Sequence, residues 1–167
     1  MKKVIKFCRP RDAYGFLSNF SHHSFETEEF SEKRHSIYKL FWRTSEHYFQ
    51  AMKFVGMNFK YAEKIRCSPN PSEAARLGRD RSIPIRPDWE HVKEIVMEEA
   101  LMAKFTQNLD IKRKLLETGD AILVEHRKAD RYWGDGGNGS GKNRLGILLM
   151  KVRYMFQTLD FFDEDNP

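Results

Sequence analysis

Thr44-Ser45-Glu46-His47-Tyr48-Phe49-Gln50-Ala51-Met52-Lys53-Phe54-Val55 is the stretch on which the fold turns. Thr44 or Ser45 is a good N-cap and Gly56 a good terminator, so a helix is expected over residues 44–55. At about 100° per residue, Glu46, Gln50 and Lys53 fall within a sector of roughly 60°. Tyr48, Phe49, Met52, Phe54 and Val55 cover most of the rest. A surface helix carries the reverse balance, a broad polar face and a limited apolar one. This helix is therefore expected to be packed on most sides. Burying an unpaired carboxylate or ammonium costs on the order of several kcal/mol. The polar stripe thus belongs either to a solvated ligand cleft or to an internal polar network, and spacing alone leaves both open.

Further helices flank it. Asn70-Pro71-Ser72-Glu73 puts Asn at the N-cap, Pro at the first helical position and Glu at N3, and the run closes near Gly78. Asp88 is read as the N-cap of the longest helix, whose apolar stripe is Val92, Ile95, Val96, Ala100 and Ala103. A shorter helix through Lys114-Leu115-Leu116 stops at Gly119, and a last one carries Leu145, Leu148, Leu149, Val152 and Phe156 on one face. Runs rich in Val, Ile, Leu or aromatics at residues 3–7, 37–42 and 121–125 read as strands. The fold class is α+β: a mainly helical single domain over residues 1–157 with a small β-sheet. An acidic tail over residues 158–167 is expected to fray.

Composition bounds the function. The chain has 167 residues, of which 40% are hydrophobic, with 13 Phe, 6 Tyr and 3 Trp, which excludes a disordered polymer. Cys8 and Cys67 are far apart with no CxxC, and the 6 histidines form no ligand set, so neither a metal nor another cofactor is expected. The basic start is not followed by an apolar stretch, and no run approaches the roughly 20 residues that span a bilayer. A cytoplasmic protein with no membrane contact is expected. The net charge of +5 favours anionic partners, either phosphorylated metabolites or nucleic acid. Its spread among acidic residues does not decide between them.

The second informative stretch is Asp130-Arg131-Tyr132-Trp133-Gly134-Asp135-Gly136-Gly137-Asn138-Gly139-Ser140-Gly141-Lys142-Asn143. From Gly136 it nearly fits GxxxxGK[ST], but Asn143 replaces the hydroxyl that would hold magnesium, and residues 129–135 separate it from the only upstream strand. A nucleoside-triphosphate P-loop is excluded. Glycines still let backbone N–H groups converge on an anion, the next helix offers its positive end, and Lys142 and Arg144 add charge. A plain surface connection has similar composition, although Trp133 offers a wall for a flat base.

Taken together, Phe16-Leu17-Ser18-Asn19-Phe20, the helix around Glu46, Ala74-Ala75-Arg76-Leu77-Gly78-Arg79-Asp80-Arg81, Trp89 with Lys93 and Val96-Met97, and Tyr132-Trp133-Gly134 through Lys142-Asn143-Arg144-Leu145-Gly146 resemble the NADAR superfamily, most closely its YbiA-like members. Residues 25–36 and the acidic tail depart from the pattern. The resemblance implies an N-glycosidase acting on phosphorylated ribosides, chiefly early riboflavin-pathway aminopyrimidine ribotides, with release of ribose 5-phosphate. Two alternatives remain: a hydrolase of ADP-ribosylated guanine in nucleic acid, and a non-catalytic ADP-ribose-binding module. Retention of both Glu46 and Lys53 argues against the last.

Carried over by motif, the resemblance implies Glu46, Lys53 and Asp130 as catalytic residues. It implies Asn19, Phe20, Gln50, Arg79, Trp89, Trp133, Gly134 and Asn143 as substrate contacts. Cleaving a C1′–N bond develops positive charge on the sugar and negative charge on the leaving base. Glu46 suits the first, as stabiliser or as base toward water. Lys53 either attacks C1′ through a Schiff base, as proposed for the ADP-ribose branch, or contacts ribose or phosphate. Asp130 would orient the ribose hydroxyls or the base. Trp89 and Trp133 are stacking faces or structural residues, and Arg76, Arg79 and Arg81 hold phosphate or are simply exposed.

Overall fold

The structure, a computed structural model, describes residues 2–31 and 36–164. Backbone packing divides it into two compact units, one formed by Met1–Ser21 with Leu109–Pro167, the other by His22–Asn108.

The unit of residues 22–108 is built on a hairpin and four helices. Strands β2 (Phe25–Ser31) and β3 (Ser36–Trp42) pair antiparallel, from Phe25 opposite Trp42 to Ser31 opposite Ser36. Strand β2 was not expected, because its three glutamates disfavour strand in isolation. Tertiary contacts override that preference. Trp42 Nε1 donates to Thr27 Oγ1 at 2.8 Å, and the Gln107 amide bridges both backbone polar groups of Glu26 at 2.8 Å, closing the outer edge. Helix α1 (Ser45–Met52) follows, and all eight of its residues are buried, as its narrow polar stripe required.

Helix α1 packs on helices α2 (Phe59–Arg66), α3 (Pro71–Leu77) and α4 (Trp89–Gln107). The sequence FKYAEKIR of α2 escaped sequence reading because only Ala62 and Ile65 are buried, although Asn58 Oδ1 caps it by accepting from Tyr61 N. Asn70 caps α3 as expected, Oδ1 accepting from Glu73 N at 2.9 Å. Asp88 occupies the N-cap of α4 but makes no side-chain cap; its carboxylate instead takes two hydrogen bonds from Arg86, at 2.6 and 2.8 Å.

The other unit holds a parallel pair, β1 (Val4–Phe7) with β4 (Ile122–Glu125), in register from Val4 opposite Ile122 to Phe7 opposite Glu125. The small sheet is thus two separate two-stranded sheets. Helix α5 (Leu109–Leu116) contains the expected Lys114-Leu115-Leu116 run and begins at Leu109. Helix α6 (Arg144–Glu164) lies on β4 and α5, burying Leu145, Leu148, Leu149, Val152 and Phe156. At 21 residues it is longer than the 19 of α4, because the backbone stays helical through the acidic stretch to Glu164. Arg153, buried on α6, donates to Thr118 Oγ1 at 2.6 Å and to the Ala121 carbonyl at 2.9 Å, which fixes the entry to β4. Among the described residues no helix is long and apolar enough to cross a membrane.

Candidate active site

The polar stripe of α1 becomes a connected set. Glu46 and Gln50 lie one turn apart, both buried, and Gln50 Nε2 donates to Glu46 Oε1 at 2.7 Å. Gln50 Oε1 has no partner among the described residues and sits against Gly78, where an added Cβ would lie 1.9 Å from it. His47, fully buried, anchors the start of the helix: Nδ1 meets Thr44 Oγ1 at 2.8 Å and Nε2 meets the Ser68 carbonyl at 3.2 Å. Burial lowers its pKa, so it is a structural pin.

Lys53 caps the C-terminal end of α1. Its Nζ donates to the Gly78 carbonyl at 3.0 Å and lies 5.6 Å from the Phe49 ring centroid and 5.7 Å from that of Trp89. Burial lowers its pKa to about 8, with the Arg79 guanidinium adding to the effect and the Glu46 and Glu90 carboxylates opposing it. The rings of Phe49 and Trp89 are tilted at 58° with centroids 5.0 Å apart, and Trp89 is 5% exposed. The indole therefore walls in the lysine from the first turn of α4.

Lys53, Arg79 and Trp89 line a cleft of about 710 Å³, together with Gly78, Asp80, Arg81, Glu90 and the non-helical segment 83–85. This volume suits a nucleotide-sized ligand. Glu46 and Gln50 do not line it; they stand behind Lys53 on the same stripe. Arg76 lies outside it and is paired with Glu73 at 2.7 Å. Glu90 was not anticipated, since in sequence it is one more exposed acid in a first helical turn; it pairs with Lys93.

The remaining predicted residues fall in the other unit. Asn19 is buried and Phe20 half-buried, just after a 3-10 turn at Gly15–Leu17. Asp130 organises its own loop: Oδ1 accepts from the backbone N–H groups of Tyr132, Trp133 and Gly134, at 3.0, 2.8 and 3.4 Å. Trp133 is half-buried with its ring 5.2 Å from that of Tyr132. Gly134 is buried where a Cβ would stand 2.9 Å from the Glu125 carbonyl and 3.0 Å from that of Asp130.

The loop is less open to phosphate than its glycines suggested. The N–H groups of Arg144 and Leu145, at the start of α6, already donate to the Tyr132 and Trp133 carbonyls, at 3.0 and 3.1 Å. The helix end is thus largely spent on the loop. Asn143 is likewise engaged: Oδ1 accepts from Glu125 N at 2.9 Å and Nδ2 donates to the Leu123 carbonyl at 2.8 Å, which completes the free side of β4. Its φ of 49° is a conformation that Asn tolerates, which gives a structural reason for Asn where a P-loop has Ser or Thr. Asp135, 5% exposed, accepts from Gly137 N at 2.7 Å and pairs with His126 Nδ1 at 2.8 Å. Burial would raise its pKa, but those bonds and the charges of His126 and Lys6 outweigh it and hold the carboxyl below its usual value. Among the described residues no cluster of three or more His, Cys, Asp or Glu is placed to hold a metal.

Comparison with known proteins gives the family. The NADAR domain model matches residues 6–157. The chain is 49% identical over 150 residues to the N-glycosidase YbiA of Escherichia coli, covering 90% of this chain and 86% of that one. It is 40% identical over 157 residues to an N-glycosidase of Nostoc punctiforme, covering 93% and 94%. It is 37% identical over 157 residues to a riboflavin biosynthesis protein of Vibrio vulnificus, covering 94% of this chain but 40% of that longer one. The NMR structure of E. coli YbiA matches with a TM-score of 0.83 at 46% identity, covering 96% and 88%. With its motifs, its fold and most of its length in common with these proteins, the chain belongs to the NADAR domain family.

Proposed function

We propose that the protein hydrolyses the C1′–N bond of a phosphorylated riboside, an aminopyrimidine ribotide of the riboflavin pathway, and releases ribose 5-phosphate. The coarser class comes from the relatives: the protein is an N-glycosidase, as those that share most of their length with it are named. The riboflavin assignment draws on the name of the Vibrio vulnificus relative. The observation that carries the reading is Lys53, walled by Phe49 and Trp89 in a cleft, with Glu46 and Gln50 behind it.

In this reading Trp89 offers an apolar face, and Arg79 and Arg81 stand on a rim of mixed charge with Asp80 and Glu90. The role of Glu46 follows the family motif and not the lining of the cleft: as C1′–N breaks, its carboxylate stabilises positive charge on the sugar and accepts a proton from the attacking water, which requires the sugar to reach past Lys53. The water oxygen bonds to C1′, and the leaving nitrogen takes up a proton. The ammonium form of Lys53 is the donor for that second transfer. The family motif, rather than their surroundings, suggests Asn19, Phe20 and Trp133 as further substrate contacts. Asp130 acts as a positioning residue, through the loop N–H groups it accepts from.

The lowered pKa of Lys53 favours a second route. With a pKa of about 8, roughly a tenth of the amine is free at pH 7. The free amine attacks C1′, the base leaves with a proton, and the ring opens to a Schiff base that water hydrolyses to ribose 5-phosphate and the regenerated lysine. Borohydride with substrate traps this intermediate; an absent adduct together with near-normal turnover of Lys53→Ala rules the route out.

The deciding assay incubates the protein with aminopyrimidine ribotides and, separately, with guanine-ADP-ribosylated oligonucleotide. Ribose 5-phosphate release from the ribotides alone is expected, and Glu46→Gln should slow it at least about 100-fold with the fold intact. ADP-ribose release from the oligonucleotide alone would move the substrate to nucleic acid. Turnover of neither, with tight ADP-ribose binding, would make the protein a binding module.

A further inference from the structure

A second cleft, of about 500 Å³, lies wholly within the unit that holds β1 and β4. The two strands are parallel, and Phe7 faces Glu125 at their carboxyl ends, where His126 N adds one more rung to the Phe7 carbonyl at 2.8 Å. Cys8-Arg9-Pro10 and His126-Arg127-Lys128-Ala129 therefore leave the pair at the same end, and both segments line the cleft. The crevice beyond the carboxyl ends of adjacent parallel strands is where open α/β sheets bind ligands.

The charge there is of one sign. Arg9, Arg127, Lys128 and His126 line the cleft and no Asp or Glu does. The carboxylates bonded to its lining residues are already engaged: Asp12 accepts from Arg9 N at 2.7 Å, and Asp135 from His126 and Gly137. The Asp135 contact fixes the His126 ring through Nδ1, leaving Nε2 as the other polar edge. The guanidinium carbon of Arg127 lies 5.8 Å from the centroid of Phe20, within cation–π range, and a guanidinium can present two N–H groups to a pair of phosphate oxygens. The cleft of Lys53, by contrast, mixes Arg79 and Arg81 with Asp80 and Glu90.

We propose that this second cleft is a phosphomonoester site, built to hold the phosphate of a sugar phosphate through Arg9, Arg127, Lys128 and His126. Only the sugar rests on the phosphoribosyl reading above; the phosphate rests on the cleft itself. The test is calorimetric titration with ribose 5-phosphate, inorganic phosphate and ribose. Both phosphates should bind and ribose should not. Arg9→Gln/Lys128→Gln, at two exposed positions, should weaken phosphate binding at least about tenfold with an unchanged thermal midpoint. Removing two charges elsewhere, in Lys60→Gln/Arg76→Gln, should change it less than about twofold. Equal losses in the two double variants, equal binding of ribose and ribose 5-phosphate, or no phosphate binding by the wild type overturns the proposal. Phosphate binding at this cleft without ribotide turnover would sink the proposed activity and leave the site standing. Turnover with phosphate affinity indifferent to Arg9 and Lys128 would do the reverse.

Discussion

Lys53 Nζ donates to the carbonyl of Gly78 at 3.0 Å, so the last turn of α1 is tied to the end of α3 by the side chain that faces the cleft. The bond holds the amine between Phe49 and Trp89, where burial lowers its pKa to about 8. The pH profile of kcat/KM is therefore expected to inflect near 8 in the wild type. A limb rising with pH identifies the free amine as the working form, and a falling limb identifies the ammonium. Lys53→Arg, charged throughout, should lose the inflection; an unaltered profile in that variant would remove Lys53 from the chemistry.

Gly78 and Gln50 should behave as a coupled pair. The backbone at Gly78 is ordinary helical, φ −68°, so alanine there costs nothing in conformation. Its Cβ would nonetheless stand 1.9 Å from Gln50 Oε1. Gly78→Ala is expected to destabilise by about 1–3 kcal/mol by forcing Gln50 off Glu46. Adding Gln50→Ala removes that oxygen and Cδ but leaves the Cβ of residue 50 at 2.8 Å, so it should recover part of that loss, with a coupling energy above about 0.5 kcal/mol in denaturant unfolding. Strictly additive effects would contradict this packing.

Asn143 contributes both a backbone conformation and two hydrogen bonds. Asn143→Ala should cost about 2–4 kcal/mol, from the strained positive φ and from the Glu125 N–H left without its acceptor. Asn143→Gly relieves the strain but not the lost bonds, so its cost should be smaller by about 1 kcal/mol. Thermal or denaturant unfolding reads the order directly, and equal costs would show that the conformation contributes nothing.

Lys104 is fully buried in the last turn of α4, and burial lowers its pKa to about 7. Between about pH 7 and 10.5 the unfolded chain therefore binds more protons at this residue than the folded one, so stability rises with pH across that window. Below about pH 7 the penalty is complete. Lys104→Met should thus raise stability by about 1–4 kcal/mol at pH 6 and by less at pH 10. A destabilised variant at pH 6 would show that the ammonium is fully compensated in the folded state.

Local rules read much of this chain correctly. The cap at Asn70 is a local contact between a side chain and an N–H three residues on, so four letters suffice to see it. The burial of α1 was equally visible, because a stripe of Glu46, Gln50 and Lys53 is too narrow for a solvated face. Strand β2 was hidden because Glu26, Glu28 and Glu29 argue against strand until β3 and Gln107 supply its hydrogen bonds. Helix α2 was hidden because two buried residues leave too weak a periodicity. Asp88 looked like a cap because nothing in sequence shows that Arg86 folds back onto it.

Near neighbours along the chain and short motifs sufficed for the class of the fold, the caps at Thr44 and Asn70, the polar stripe on a buried helix and the family. Tertiary structure alone decided the chemistry of the individual groups. Burial beside Phe49 and Trp89 lowers the pKa of Lys53, and desolvation is a property of packing rather than of residue type. The glycine loop and the start of α6 turn inward on each other because Arg144 and Leu145 find the carbonyls of Tyr132 and Trp133. Arg9 and Arg127, remote in sequence, share one cleft because β1 and β4 run parallel and end together.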